Sequence, residues 1–202
     1  MSIVTQSTWQ AAAIPPFPVW RFSVGEYHQL IAAGVLEEDA AVELLEGWIV
    51  PKMARGSRHD ASMSALHGAI GRQLSGWHVR VQSALTTSNS EPEPDLAIVE
   101  GEPLRYFDCH PTPGDAALVA EVSETSLAHD RDVKGRVFAA ARIAVYWVVN
   151  LVDRRIEVYT LPVGSGGQTR YSQRDDFVAG QSVPLVVGGK TLTAIAVNDV
   201  LR

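Results

Sequence analysis

Residues 91–101 read EPEPDLAIVEG: three acids alternate with two prolines, and an apolar run follows at once. Proline fixes its own φ and pushes the residue before it out of the helical region, so this segment enters the run extended. Alternate side chains of an extended chain share a face, which lets Glu91, Glu93 and Asp95 point the same way. The run itself, DLAIVEG at 95–101, is mostly apolar on both faces, as a central strand requires. A second strand, ALVAEVS at 117–123, puts Leu118, Ala120 and Val122 on one face and Val119 and Glu121 on the other. Each strand therefore carries a carboxylate near one of its ends. A lone carboxylate in such a place is desolvated or titrates abnormally, and two side by side repel. A divalent cation removes both penalties, because Mg²⁺ and Mn²⁺ take hard oxygen ligands.

Working outward, Ser23 and Glu26 form a capping box, Tyr27, Leu30 and Ile31 make one stripe, and Gly34 stops that first helix. VELLEGWIV at 42–50 predicts two short strands turning at Glu46-Gly47. His59, Met63, Leu66, Ile70 and Leu74 follow helical spacing and predict a helix over about 58–75. The period becomes two in HVRVQSAL (78–85). After the two central strands come a helix at about 129–141 and a hairpin, VYWVVNLV with RRIEVYT, around Asp153-Arg154. Short strands near 168–173 and 183–193 lead to a final helix at about 194–201. Residues 1–20, with Pro15, Pro16 and Pro18, read as an irregular arm, and 21–202 as a single domain. The fold class is α/β (α+β): a mixed sheet flanked by helices.

The 202 residues are 46% hydrophobic and 20% charged, which excludes global disorder. The N-terminus has no basic start leading into an apolar stretch, so no signal peptide is expected. No run reaches the roughly 18 apolar residues of a membrane helix, and a cytoplasmic protein is expected. Cys109, the single cysteine, makes neither an internal disulfide nor a thiolate metal site. A net charge of −6 argues against broad nucleic-acid binding through a basic surface. The charge is uneven, however. Lys52, Arg55, Arg58, Arg72 and Arg80 face one acid, Asp60, over residues 52–80, whereas residues 91–124 hold nine acids and Arg105. Such blocks suit a phosphate-facing surface beside a cation-binding one, or equally two solvated loops of opposite sign.

Within the helix after Glu121, Lys134 shares a face with Asp130, Phe138 and Ala141, so it lies against the sheet. A lysine beside two metal-bound carboxylates can orient water and offset charge on a phosphate in transfer. Glu43 points opposite to Val42 and Leu44 and is a fourth candidate for the same cluster. Each residue has a plainer role open to it. Asp95 could cap a turn, Glu121 could pair with a buried arginine such as Arg142, Lys134 could snorkel at the surface, and Glu43 could be an exposed strand residue. His59 could touch phosphate or position a water, but it shares the stripe of Met63, Leu66 and Ile70 and reads rather as a partly buried structural histidine. Trp147 and Tyr146 read as core aromatics.

The segments VELLEGWIV, EPEPDLAIV, LVAEVSETS, DRDVK and YWVVN, in this order, resemble the "putative restriction endonuclease" family (DUF820, Uma-type) of the PD-(D/E)XK nuclease superfamily, over about residues 22–200. The resemblance implies a helix-edged sheet and a divalent-metal phosphodiesterase site built from Asp95, Glu121 and Lys134, with a further carboxylate from Glu43. In the superfamily's short pattern the lysine follows the acid by two residues; here Ser123 stands there, and the family arrangement moves the lysine to Lys134. Trp48, Val145 and Asn150 also depart from the family pattern, outside the proposed metal cluster.

The expected function is that of a Mg²⁺- or Mn²⁺-dependent DNA endonuclease. Its metal would be held by Asp95, Glu121 and the Val122 carbonyl, with Arg55, Arg58 and Arg72 contacting backbone phosphates. Lys134→Ala and Asp95→Ala are expected to abolish nicking with stability intact or raised. The alternatives are a catalytically silent binding or assembly module on the same fold, and a hydrolase of other phosphoesters. By family analogy a homodimer is expected, since cutting two strands wants two sites.

Overall fold

The computed structural model describes residues 17–37, 39–71 and 73–202. Most of the expected arm, residues 1–16, and Arg72 lie outside the described residues. Ser23 caps helix α1 (Val24–Ala32), accepting a hydrogen bond from the Glu26 N–H at 3.2 Å while its own N–H donates to the Glu26 carboxylate at 2.8 Å. This is the reciprocal pattern the spacing predicts. Strands β1 (Val42–Leu45) and β2 (Trp48–Pro51) form a two-stranded hairpin. Its turn holds Glu46 at φ +50° and Gly47 at φ +80°, and a Cβ at Gly47 would stand 2.7 Å from Arg21 Cβ. Gly47→Ala should therefore lower stability by about 2 kcal/mol, read as a drop in the urea midpoint. A parental midpoint would show that the Arg21 segment simply moves aside.

Helix α2 (Ser57–Gly71) follows, then β3 (Trp77–Val81), β4 (Leu96–Glu100) and β5 (Ala116–Ser123). The crossover from β5 contains α3 (Leu127–His129), a π-helical turn over Asp130–Lys134 and α4 (Gly135–Ala140). It delivers the chain to β6 (Val145–Asn150), the one parallel neighbour of the sheet, as a parallel pair requires of a helical crossover. Strands β7 (Arg155–Val163) and β8 (Arg170–Val178) complete a six-stranded sheet in simple sequence order. The turn between β6 and β7 is held by Asn150, whose side-chain oxygen accepts from the N–H groups of Val152 and Asp153.

Alternation sorts the two faces. Leu96, Ile98, Leu118, Ala120, Val122, Trp147 and Val149 pack beneath Leu66 and Ile70 of α2. Ala97, Val99, Val119, Tyr146 and Val148 pack against Phe138 and Ile143 of the crossover. The C-terminal segment differs from expectation. The apolar run 183–193 is two strands, β9 (Ser182–Val187) and β10 (Lys190–Ala196), paired apart from the main sheet. They turn at Gly188 and Gly189, both at positive φ. The final helix is only one turn, α5 (Val197–Val200), because β10 runs through Ala196. The expected 78–85 strand stops at Val81, where Gln82 adopts φ +47°.

Candidate active site at the mouth of the sheet

Leu96 pairs with Ala120 across β4 and β5, so the preceding residue, Asp95, falls opposite Glu121 on one face. Asp95 donates its backbone N–H to the Glu121 carboxylate at 3.3 Å. The Asp95 Oδ2 atom accepts from the Val122 N–H at 2.8 Å and from His59 Nε2 at 2.9 Å. Among the described residues Oδ1 meets only the Gln82 amide, at 3.4 Å. From the crossover, Lys134 Nζ donates to Glu121 Oε1 at 2.9 Å and stands 3.4 Å from Glu43 Oε1. The other Glu43 oxygen accepts the Glu93 N–H at 3.0 Å. Four elements thus bring Glu43, Asp95, Glu121 and Lys134 together, each under 10% exposed. They form the floor of an open cavity of about 500 Å³.

Asp130 and Lys134 stand at the two ends of the π-helical turn, and both are buried. They face the sheet together, as residues four apart do, with Asp130 fixed by hydroxyl donors from Ser123 and Ser126. Burial pushes the Glu121 carboxyl well above its ordinary range, although Lys134 pulls the other way. Burial alone would lower the Lys134 ammonium, but Glu121 and Glu43 outweigh it and raise the group. Burial would raise Asp95 too; there the hydrogen bonds from His59 and Val122 win, and the group stays ionised below the usual range. His59 is raised because Asp95 and Asp60 more than offset its burial.

Glu43, Asp95, Glu121 and Lys134 are therefore brought together, and the alternative partner for Glu121 is not used. Arg142 instead donates to the carbonyls of Pro162 and Gly164. Val122 lines the cavity, and the atom of it that engages Asp95 is the N–H. Arg55 lines the cavity and is exposed, whereas Arg58 turns to Glu124 at 2.8 Å. Glu93 is an outer partner, paired with Lys52 at 2.6 Å.

Glu91, the first of the three alternating acids, does not join the cluster. It is 5% exposed and accepts from Thr86 Oγ1 at 2.6 Å and His28 Nε2 at 2.8 Å, anchoring α1 to the loop before β4. His59 is the residue the sequence undervalued. It is buried on the apolar stripe as expected, yet its ring reaches Asp95. Its place in the first turn of α2, at the start of that stripe, was the available signal.

Among the described residues no group of three or more His, Cys, Asp or Glu side chains is drawn into a preformed metal cluster. The donor chemistry nevertheless fits a hard divalent cation. Three carboxylates face one ammonium, and Asp95 Oδ1 has only a long amide contact. Among the described residues no helix is long and apolar enough to cross a membrane.

A family model described as "Uma2: Putative restriction endonuclease" matches residues 24–193. No curated protein matches the chain. Among solved structures, the crystal structure of a "putative nuclease belonging to DUF820" from Anabaena variabilis ATCC 29413 superposes with a TM-score of 0.63. The match covers 89% of this chain and 97% of that one at 13% identity, a likeness of fold.

Proposed function

The chain belongs to the Uma2 family of restriction-endonuclease-like proteins, and from that premise we propose that it hydrolyses phosphodiester bonds of DNA at the mouth of its sheet. The observation that carries this reading is the meeting of Asp95 and Glu121, from adjacent strands, with the buried ammonium of Lys134. A Mg²⁺ or Mn²⁺ ion held by Asp95, Glu121 and the Val122 carbonyl would polarise the scissile phosphate and lower the pKa of a bound water. Lys134 offsets the negative charge that grows on the phosphoryl oxygens and holds Glu121 in place. His59 and the Val122 N–H fix the Asp95 carboxylate so that Oδ1 is left toward the cavity. Lys52 and Arg55 at the rim meet the flanking phosphates. The protein would work in the cytoplasm as a homodimer, one site for each strand.

The test is nicking of supercoiled plasmid with Mg²⁺ or Mn²⁺, stopped by EDTA, alongside calorimetric titration of each metal. Metal-dependent relaxation, with metal binding lost in Asp95→Asn, is the expected result. A second reading has one observation in its favour. Lys134 already neutralises part of the carboxylate charge, as it would in a silent binding module on this fold. Neither metal binding nor nicking would leave that module standing.

A further inference from the structure

Beside the active-site cavity lies a second one, of about 450 Å³, on the other side of the first turn of α2. Its cations are Arg58, Arg154 and Arg202, against the single acid Asp199 among its lining residues. Arg58 and His59 are consecutive, and His59 binds Asp95, so the first turn of α2 lines both cavities. Arg58 is paired with Glu124, but this bridge is largely solvent-exposed and easily exchanged for another anion.

Among the described residues Arg154 is one of five non-glycine residues at positive φ, and the one of them that lines this cavity. It occupies the turn between β6 and β7 at φ +54°, a conformation that glycine or asparagine adopts at little cost and arginine does not. Asn150 fixes that turn from beneath. The Arg154 side chain is exposed and, among the described residues, makes no hydrogen bond or ion pair that would compensate the strain. The left-handed residue helps close the β6–β7 hairpin, but that role needs no cation, and the arginine side chain there is left free to meet a ligand. Ala61, Ser62 and Ala65 keep the adjoining wall low, so a backbone strand has room to lie between Arg58 and Arg154.

We propose that this second cavity seats a phosphate of the DNA backbone next to the one being cut, with Arg58 and Arg154 as its ligands. Lys52, Arg55, Arg58 and Arg154 then form a track that leads the strand across the first turn of α2. The proposal rests on the reading that DNA is the substrate.

Arg154→Gly separates binding from folding, because glycine relieves the positive φ while removing the cation. A fluorescein-labelled DNA duplex, titrated by anisotropy in EDTA across a sodium chloride series, is the probe. Affinity should fall about three- to tenfold and the salt slope should shrink by about one, with the thermal midpoint equal to or above the parent's. Arg58→Gln should shift affinity and slope in the same direction. Parental affinity and slope in Arg154→Gly would overturn the proposal, as would a parent that does not bind the duplex. A parent that binds but never nicks, with Arg154→Gly weakened, would fail the hydrolytic reading and leave this phosphate seat supported.

Discussion

Lys134→Met is expected to lower plasmid cleavage by about 10²- to 10³-fold, as loss of one preorganised charge does in phosphoryl and acyl transfer. It is also expected to lower the stability of the fold by about 3–5 kcal/mol at neutral pH. The second effect follows from burial. The ammonium stands 2.9 Å from Glu121 and 3.4 Å from Glu43, and removing it leaves buried carboxyl groups without a cation. The pH dependence has a definite sign. A carboxyl whose folded pKa lies above its unfolded one binds its proton more readily in the native state, so stability falls as pH rises through that interval. Glu121 is already in that condition, and without Lys134 it is more so. The deficit of Lys134→Met should therefore shrink on acidification from neutral. Lys134, raised in the native state, contributes fully below the ordinary lysine range and loses its contribution only at strongly alkaline pH. Adding Glu121→Gln to Lys134→Met should restore much of the stability and none of the cleavage. Urea unfolding of the three proteins decides the matter: a single variant as stable as its parent would mean the ammonium is not holding the carboxylates.

The expectation that Lys134→Ala would leave stability intact or raised is thus reversed, and the reason shows what a sequence carries. The Pro-Asp entry to β4, the position of Glu121 in β5 and the helical offset of Lys134 are local patterns, and the three residues they mark do come together in the fold. How closed the site is depends on β1 and α2, which arrive from far along the chain. The same limit hid Glu91, whose burial is made by His28 and Thr86. It also hid the reach of His59, since one helical stripe can serve a core and a site at once. The π turn has no sequence punctuation, and residues 130–134 were read as ordinary helix. β9 and β10 followed the strand pattern but said nothing of which sheet they join; Gly188 and Gly189 decide that by turning the chain back.

The other large effect expected lies outside the site, at Glu157. This side chain is fully buried and accepts from Arg131, from Asn150 at 2.7 Å and from Tyr159 at 2.7 Å, with Arg174 at 3.2 Å. Arg131 belongs to the π turn that carries Lys134, so Glu157 ties that turn to β7. Glu157→Ala strands several donors at once and should destabilise the fold by about 3 kcal/mol. The figure stays at the low end because Arg131 and Arg174 are partly solvated and have Asp153 and Asp176 within reach. Burial would raise the Glu157 carboxyl, but Arg131 and Asn150 outweigh it and hold it below the usual glutamate range. A carboxylate lowered in this way contributes stability above its unfolded pKa and loses it as pH falls through its folded one. The gap between parent and Glu157→Ala should therefore be widest at neutral pH and close in acid, opposite in cause to Lys134→Met though alike in direction. Cleavage should fall as well, because the π turn loses its anchor. A variant that unfolds with the parent's midpoint at neutral pH, or whose deficit grows in acid, would show that Arg131 and Arg174 find equal partners elsewhere.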